Sequence, residues 1–268
     1  MNGTLEPREV DKPFARRWLR TTLLLLLRSP FRFGLLIALL GCLDTSAVNL
    51  AKGYVVQKLW VDRLGNVMLP LLWVLVSAVA RGADDPRLTW QALAQLRRRR
   101  VWIGALVPGV GVALANSIIY VSLGASRHSS HSQSYLLNQG QLLDSVESSV
   151  MLISIIIGIC YFPLLVFVPD VSALHAGYLS RKATDMNGWN VITLLILILV
   201  LGAIALSTLP SYGMTTAAFL VFIGALNYVA YREIFEGRLS PELPAQTPSR
   251  SSVPLAQTAG ARNQGLPE

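Results

Sequence analysis

Polar side chains inside long apolar stretches are the residues of this chain whose types and positions suit chemistry. Asp44 lies within the apolar run 33–50, and Asn49 follows it in the same run. A carboxylate inside a membrane span raises the free energy of insertion by about 2.5–3.5 kcal/mol, which makes it a candidate for proton or cation coupling. The structural alternative is that Asp44 lies near the end of a short span and pairs with Lys52 or Lys58.

A second candidate is the apolar run 101–122, which carries a proline and several small residues. Their spacing of four, three and four places them on one helix face: Gly104, Pro108, Gly111 and Ala115. Two interpretations stay open, a broken helix that lines a substrate site and a helix whose small residues let a neighbour pack closely. Asn116 follows in the same run and completes, with Asp44 and Asn49, the predicted set of intramembrane polar residues.

Metal, cofactor and covalent chemistry have little support in the sequence. His128 and His131 are three residues apart, but two ligands do not make a metal site. Cys42 and Cys160 lie in apolar runs and are expected to pack as small hydrophobic side chains. The sequence contains no Walker, HExxH or GxSxG motif. We therefore expect no metal and no cofactor and favour a non-enzymatic role, while an enzyme with dispersed catalytic residues stays open.

The composition is that of a membrane protein. Of the 268 residues, 53% are hydrophobic and 14% are charged, against about a quarter charged in soluble domains. The net charge of +8 is compatible with binding to nucleic acid, because basic side chains displace counterions from phosphates. The positions of the basic residues decide between nucleic acid and a membrane.

Six segments approach the ~20 apolar residues that a helix needs to cross a bilayer. They are 33–50, 64–80, 101–122, 149–168, 190–208 and 213–230. The first two are the weakest, because the first carries Asp44 and Asn49 and the second is short. We predict an all-α membrane helix bundle with about six transmembrane helices and an N-terminal interfacial helix.

The basic residues are distributed unequally between the two sides of these spans. One side holds nineteen Lys and Arg residues, in 1–32, 81–100, 169–189 and the residues after the sixth span, 231–268. The other side holds four, in the first and third connections. Since short cytoplasmic loops are enriched in Lys and Arg, this asymmetry predicts that both termini lie in the cytoplasm.

Four consecutive arginines stand at the start of the third span: Arg97, Arg98, Arg99 and Arg100. At a membrane boundary they suit pairing with anionic lipid headgroups. Trp102, just inside the span, is typical of the aromatic interface belt. No nucleic-acid-binding motif accompanies the arginines. The expected partner of this segment is therefore the lipid bilayer and not nucleic acid.

Segments outside the spans divide the chain further. Residues 12–28 mix arginine with aromatic residues and leucine, which predicts an interfacial helix within a cytoplasmic N-terminal segment, 1–32. Asp85 and Pro86 suit an N-cap and a first helical position, and the helix that they start is expected to continue into the third span. The six spans make a membrane domain of residues 33–236. The tail, 237–268, is rich in Pro, Ser and Gln and is predicted to be disordered and cytoplasmic.

Several motifs occur in a distinctive order over residues 14–237. They are the start RRWLRTTLLLLLRSPFRFGLLIALL, the segment ARGADDPRL, the Pro-bounded fourth span YFPLLVFVP, the entry MNGWNVITLL and the ending YVAYREIFEG. This order resembles a broad group of small bacterial six-span inner-membrane proteins that have no assigned activity. The resemblance implies a topology and a compartment, the bacterial inner membrane, and it implies no site residues.

Three classes of function stay open. The sequence favours a non-enzymatic factor that binds or scaffolds another membrane protein, including an immunity-type protein that blocks a pore-forming toxin, because polar groups in the spans are few and scattered. The alternatives are a small transporter or channel that uses Asp44 and the Pro108 helix, and a lipid-binding or lipid-modifying protein. The expected partner is accordingly a membrane protein or a second copy of the chain.

Overall fold

The computed structural model describes residues 6–11, 14–51, 55–125, 159–208 and 212–237. Within these ranges the chain is all-helical and forms eight α-helices, with no strand. They are α1 (Phe14–Arg28), α2 (Pro30–Ala51), α3 (Val55–Asp84), α4 (Thr89–Gln95), α5 (Arg99–Ala125), α6 (Tyr161–Phe167), α7 (Ala173–Thr208) and α8 (Tyr212–Glu236). Five of the six predicted spans each fall inside one helix, and the described part of the fourth, 149–168, contains α6.

A parallel pair of helices, α3 and α8, forms the centre of the described structure. Trp73 Nε1 donates a hydrogen bond to the Leu220 carbonyl at 3.3 Å. About one turn further along both helices, Gly224 lies against Val76, and a Cβ atom at position 224 would stand 2.8 Å from Val76 Cγ1. The absence of a side chain at position 224 therefore lets the two helices approach closely, as small residues do in membrane helix pairs. Both helices contribute fully buried side chains to the core around this contact.

The helix α2 runs antiparallel to α3 and α8. At its start, Arg32 Nη1 donates to the Gly82 carbonyl at the end of α3, at 3.3 Å. Further along, Gly41 lies against Met214 at the start of α8. Pro30 begins α2, a position where its missing N–H leaves no helical bond unmade. The chain turns sharply there, and α1 stands at 92° to the first part of α2.

The connection between α3 and α5 follows the prediction at its start and departs from it at its end. Asp85 caps a 3₁₀ turn, Pro86–Leu88, and accepts a hydrogen bond from the Arg87 N–H at 3.0 Å, which confirms the predicted cap. The helix α4 follows but ends at Gln95, and residues 96–98 form a turn before α5. The prediction of one helix continuing into the third span is therefore wrong. Each residue from 96 to 98 donates its N–H to the carbonyl three positions earlier, which tightens the chain into a turn.

The long helix α7 is broken near its middle by Gly188. This residue has φ 57° and ψ −146°, a backbone conformation that is nearly restricted to glycine. The residues before the break, 173–187, and those after it, 189–208, therefore form two separate helical segments. The break falls within MNGWN, the sequence predicted to enter the fifth span.

Two segments of the described chain are long and apolar enough to cross a membrane, Val67–Asp84 in α3 and Ala217–Glu236 in α8. The bent pair of α1 and α2 counts as a third if Phe14–Arg28 and Pro30–Cys42 make one span. The helices are thus compatible with a membrane protein. The number of six spans and the interfacial position of α1 stay predictions.

We predict that Gly188→Ala lowers the free energy of unfolding by about 1–3 kcal/mol, because a Cβ atom is strained at this φ value. Space is not the reason, since a Cβ there would meet nothing within 4 Å. Gly34→Ala is the matched control: position 34 is equally open but helical, so alanine should be neutral or stabilising there. Thermal unfolding in detergent, followed by tryptophan fluorescence, compares the two variants. Equal stability of both would contradict the assignment of strain.

Candidate functional site

Charged side chains from three helices meet where α3 and α8 end. We call this group the ionic cluster. It consists of two residues of α1, two of α3 and four of α8: Arg17, Trp18, Arg81, Asp84, Tyr228, Arg232, Glu233 and Glu236. All of them except Trp18 are ionisable, and each one forms a hydrogen bond or an ion pair with another member of the cluster.

The helical repeat explains how α8 contributes to two sides of the cluster. Tyr228, Arg232 and Glu236 are each four residues apart, so they line one face of the helix, which is the face toward α3. Glu233 is one residue further than Arg232 and is rotated by about 100°, which turns it toward α1. On α3, Arg81 and Asp84 are three residues apart and share the face toward α8.

The most deeply buried contact is the pair between Arg232 and Asp84. Arg232 Nη1 lies 2.6 Å from Asp84 Oδ1, and the two side chains are 3% and 14% exposed. The Tyr228 hydroxyl donates to Asp84 Oδ2 at 3.0 Å. Both carboxylate oxygens therefore accept hydrogen bonds, and the carboxylate neutralises a guanidinium that has almost no access to solvent.

A second contact joins the same two helices to α6. Arg81 forms an ion pair with Glu236. The Arg81 guanidinium also lies over the ring of Phe167, 5.0 Å from its centre, in a cation–π contact. Phe167 contacts Tyr228 and Tyr231 with ring centres 5.8 Å and 5.7 Å apart. The end of α6 is thus packed against the cluster.

The third contact ties α1 to α8. Glu233 is 6% exposed and receives the Arg17 guanidinium on both of its carboxylate oxygens, a two-pronged arrangement typical of strong pairs. Trp18 Nε1 also donates to Glu233 Oε2 at 2.9 Å. Trp18 itself is fully buried and contacts Phe14, with ring centres 4.5 Å apart and ring planes tilted by 43°. This contact anchors α1 across the end of the bundle.

The geometry of the cluster suits mechanical attachment. Each of its three described carboxylates faces a guanidinium from another helix. A nucleophile or a general base needs instead a reacting atom within reach of its lone pairs. Among the described residues, no group of three or more His, Cys, Asp or Glu side chains is placed to hold a metal ion.

The small residues predicted to share one face of α5 lie in different environments, buried at Gly104 and exposed at Gly111. Gly104 is buried against α6: Leu165 Cδ2 would stand 3.0 Å from an added Cβ atom, and the Tyr161 hydroxyl donates to the Gly104 carbonyl at 2.8 Å. The helix continues without interruption through Pro108. Gly111 is exposed, and a Cβ atom there would meet nothing within 4 Å.

The four arginines also differ from one another. Arg97, Arg98 and Arg99 are exposed, as their predicted contact with lipid headgroups requires. Arg100 turns back, donates to the Val168 carbonyl at 3.1 Å and lies 3.8 Å from Asp170. It therefore connects the start of α5 with the end of α6.

Other predicted residues fall outside what the structure describes. Asp44 and Asn49 belong to α2 and Asn116 and Ala115 to α5, but their side chains lie outside the described part. His128 and His131 lie outside the described residues altogether. Their predicted roles stay predictions.

Two of the sequence motifs include six of the eight residues of the ionic cluster, but the sequence did not predict these residues as a site. ARGADDPRL holds Arg81 and Asp84, and YVAYREIFEG holds all four α8 residues of the cluster. The spacing of these residues could have indicated the cluster. Tyr228, Arg232 and Glu236 follow at four-residue intervals where the sixth span ends. Arg81 and Asp84 are three residues apart where the second span ends, on the same predicted side of the membrane.

Comparisons of the chain with protein-family models, curated proteins and solved structures found no match.

We predict that Arg232→Met lowers the free energy of unfolding by about 3–5 kcal/mol, because Asp84 is left buried without its counter-charge. Adding Asp84→Asn should restore most of the loss, since the amide is neutral and its oxygen still accepts from Tyr228. Thermal unfolding of the purified variants measures both effects.

The exposed pair of Arg181 and Asp185, 75% and 69% exposed, supplies the control for this experiment. Arg181→Met should change the stability by less than about 0.5 kcal/mol, because water screens both charges. A double variant as unstable as Arg232→Met alone would show that the charge pair is not the reason for the loss.

Proposed function

We propose that this chain is an integral membrane protein that binds another membrane protein through the exposed face of α5 and catalyses no reaction. The observation that carries the proposal is Gly111. It lies exposed on a helix predicted to cross the membrane, with open space where a side chain would be. A glycine at such a position lets the backbone of a second helix come close.

The surroundings of Gly111 support a lateral surface of this kind. Exposed apolar side chains follow α5 at intervals of four, three, four and four residues: Ile103, Val107, Val110, Leu114 and Ile118. Gly111 lies between Val107 and Leu114 on this stripe. Ala115 follows four residues after Gly111, so the sequence has the small-xxx-small spacing common at membrane helix contacts.

The ionic cluster supports a non-enzymatic role. Its charged groups are directed at one another and hold helices together. The transporter alternative has less support, because α5 is continuous through Pro108 and Leu165 fills the space beside Gly104.

We further propose that the protein spans the bacterial inner membrane several times, with both termini in the cytoplasm. In support, segments that the sequence assigns to the basic side meet at one end of the bundle. The N-terminal segment reaches the end of α8 through the Arg8 N–H and the Ile234 carbonyl, 3.0 Å apart. The starts of α2 and α5 and the end of α3 lie at the same end.

The position of α1 fits an interfacial helix at that end. Its inner face is buried, while Arg16, Arg20 and three leucines are exposed on the outer face. With the exposed Arg97, Arg98 and Arg99, this gives a surface of cations and apolar side chains, the combination that suits anionic headgroups and the acyl boundary.

The lateral surface predicts that Gly111→Leu reduces recovery of a co-purified membrane protein about tenfold, the equivalent of losing ~1.4 kcal/mol of helix contact. Extraction into native lipid nanodiscs followed by quantitative mass spectrometry measures the recovery. Gly34→Leu is the control, because position 34 is also exposed, helical and open.

Equal recovery from both variants, or a wild-type preparation with no stoichiometric protein, would contradict this surface. If the co-purified protein is a second copy of the chain, two differently tagged copies will be recovered together from cells that express both. That pairing should be lost with Gly111→Leu as well.

The topology predicts opposite labelling of two single-cysteine variants in a background without Cys42 and Cys160. Ser134→Cys should react with a membrane-impermeant maleimide on spheroplasts. Leu174→Cys, at a position 86% exposed, should react only after the membrane is opened. Labelling of position 174 in sealed spheroplasts would overturn the orientation, without bearing on the α5 surface.

A further inference from the structure

The N-terminal residues 6–11 form an extended segment that lies against α7 and α8, and we call it the strap. It contains no helix, and it precedes α1 in the chain. The Asp11 carbonyl accepts from Arg17 of α1 at 3.4 Å. The other hydrogen bonds of the strap are with residues more than 170 positions away, beside the break in α7 and at the end of α8. The strap therefore occupies a surface made by other parts of the fold.

Asn187 binds the backbone of the strap through both halves of its amide. Asn187 Oδ1 accepts from the Val10 N–H at 2.9 Å, and Nδ2 donates to the Arg8 carbonyl at 3.3 Å. The same Nδ2 donates to the Ala183 carbonyl at 2.8 Å, which fixes the amide in place. The side chain is 5% exposed. An amide held in this way recognises an extended backbone whatever its side chains are.

The end of α8 supplies a second backbone contact. The last carbonyls of a helix have no partner within it. The Ile234 carbonyl instead accepts from the Arg8 N–H at 3.0 Å. The Arg8 guanidinium lies against Gly237, where φ is 64° and where a Cβ atom would collide with it. A cation at this position suits the negative end of the helix dipole.

Side chains of the strap add selectivity. Pro7 and Val10 are buried, with Val10 7% exposed, while Glu6, Arg8 and Glu9 are exposed. Glu6 lies 3.5 Å from Lys182, an exposed pair that adds little energy. The surface therefore fits an extended segment with small apolar residues three positions apart and a basic residue between them.

We propose that Lys182, Asn187 and the end of α8 from Ile234 to Gly237 form a peptide-binding site, which the strap fills within its own chain. The site recognises a backbone held by Asn187 and one apolar side chain at the Val10 position. The strap of a second copy of the chain has the same sequence, so it can compete for this site. This inference is independent of the α5 surface.

The test cuts the strap from the rest of the chain only after the protein has folded. A protease site inserted between Asp11 and Phe14 lets the full protein fold first and be cut afterwards. The cut strap should exchange with a fluorescent peptide of residues 1–13, giving saturable anisotropy. An uncut sample should bind the peptide at least tenfold more weakly, because the tethered strap competes at high effective concentration.

Two peptide variants make the test specific without altering the protein. A peptide with Val10→Asp should bind about tenfold more weakly or worse, since a charge replaces a buried side chain. A peptide with Glu9→Ala should bind as the wild type does, because Glu9 is exposed.

Asn187→Ala in the cut protein should weaken binding of the peptide by about tenfold, because the two hydrogen bonds to the strap backbone are lost.

Absence of saturable binding after cutting, or equal binding of the Val10→Asp peptide, would overturn the proposal. Differently tagged uncut copies test whether the strap exchanges between molecules. Glu6 and Lys182 lie 3.5 Å apart at their charged atoms, so cysteines are placed at these two positions. Crosslinking between Glu6→Cys of one copy and Lys182→Cys of the other shows that a second copy's strap fills the site, and crosslinking only within one copy would overturn that competition.

Discussion

Arg232 carries a charge that arginine does not give up under physiological conditions, and it is almost completely buried. An unpaired guanidinium in an apolar bundle is unstable by several kcal/mol, so a carboxylate has to stand beside it. Asp84 meets this requirement only if α3 and α8 run parallel and end together. The direction and longitudinal position of the two central helices are therefore coupled to a single ion pair. The close contact of Gly224 with Val76 follows from the same alignment.

The contacts of the ionic cluster also determine where α1 and the end of α6 lie. Glu233 fixes α1 through Arg17 and Trp18, and Arg81 fixes the end of α6 through Phe167. Because α1 is held across the end of the bundle, α2 must leave it at a steep angle, which Pro30 permits. Polar fixation at one end leaves one face of α5 apolar and exposed, the face that carries Ile103, Val107 and Val110. In the proposed function, this face and not a reactive group contacts the neighbouring membrane protein.

The sequence predicts those features that depend on residues close together in the chain, such as helical segments and helix caps. The helical segments follow from long apolar runs, and the Asp85 cap follows from an acidic residue before a proline. The turn at 96–98 was missed, because no glycine or proline stands there and the apolar spacing continues up to Leu96. The ionic cluster depends on which helices are neighbours, and spacing within α8 shows only that Tyr228, Arg232 and Glu236 share a face. The recognition of the strap by Asn187 depends on contacts across more than 170 residues, about which local pattern says nothing.

The location of the ionic cluster has a consequence for biosynthesis. Arg17, Arg81 and Asp84 are synthesised early, whereas the charged side chains that pair with them in the ionic cluster lie between positions 232 and 236 of α8. Until the ribosome has passed Glu236, the earlier helices hold these charges without their partners in α8. The final arrangement of α1 and α3 must therefore wait for α8. Nascent chains that stall before α8 therefore carry Arg17, Arg81 and Asp84 without the side chains that pair with them in the complete fold.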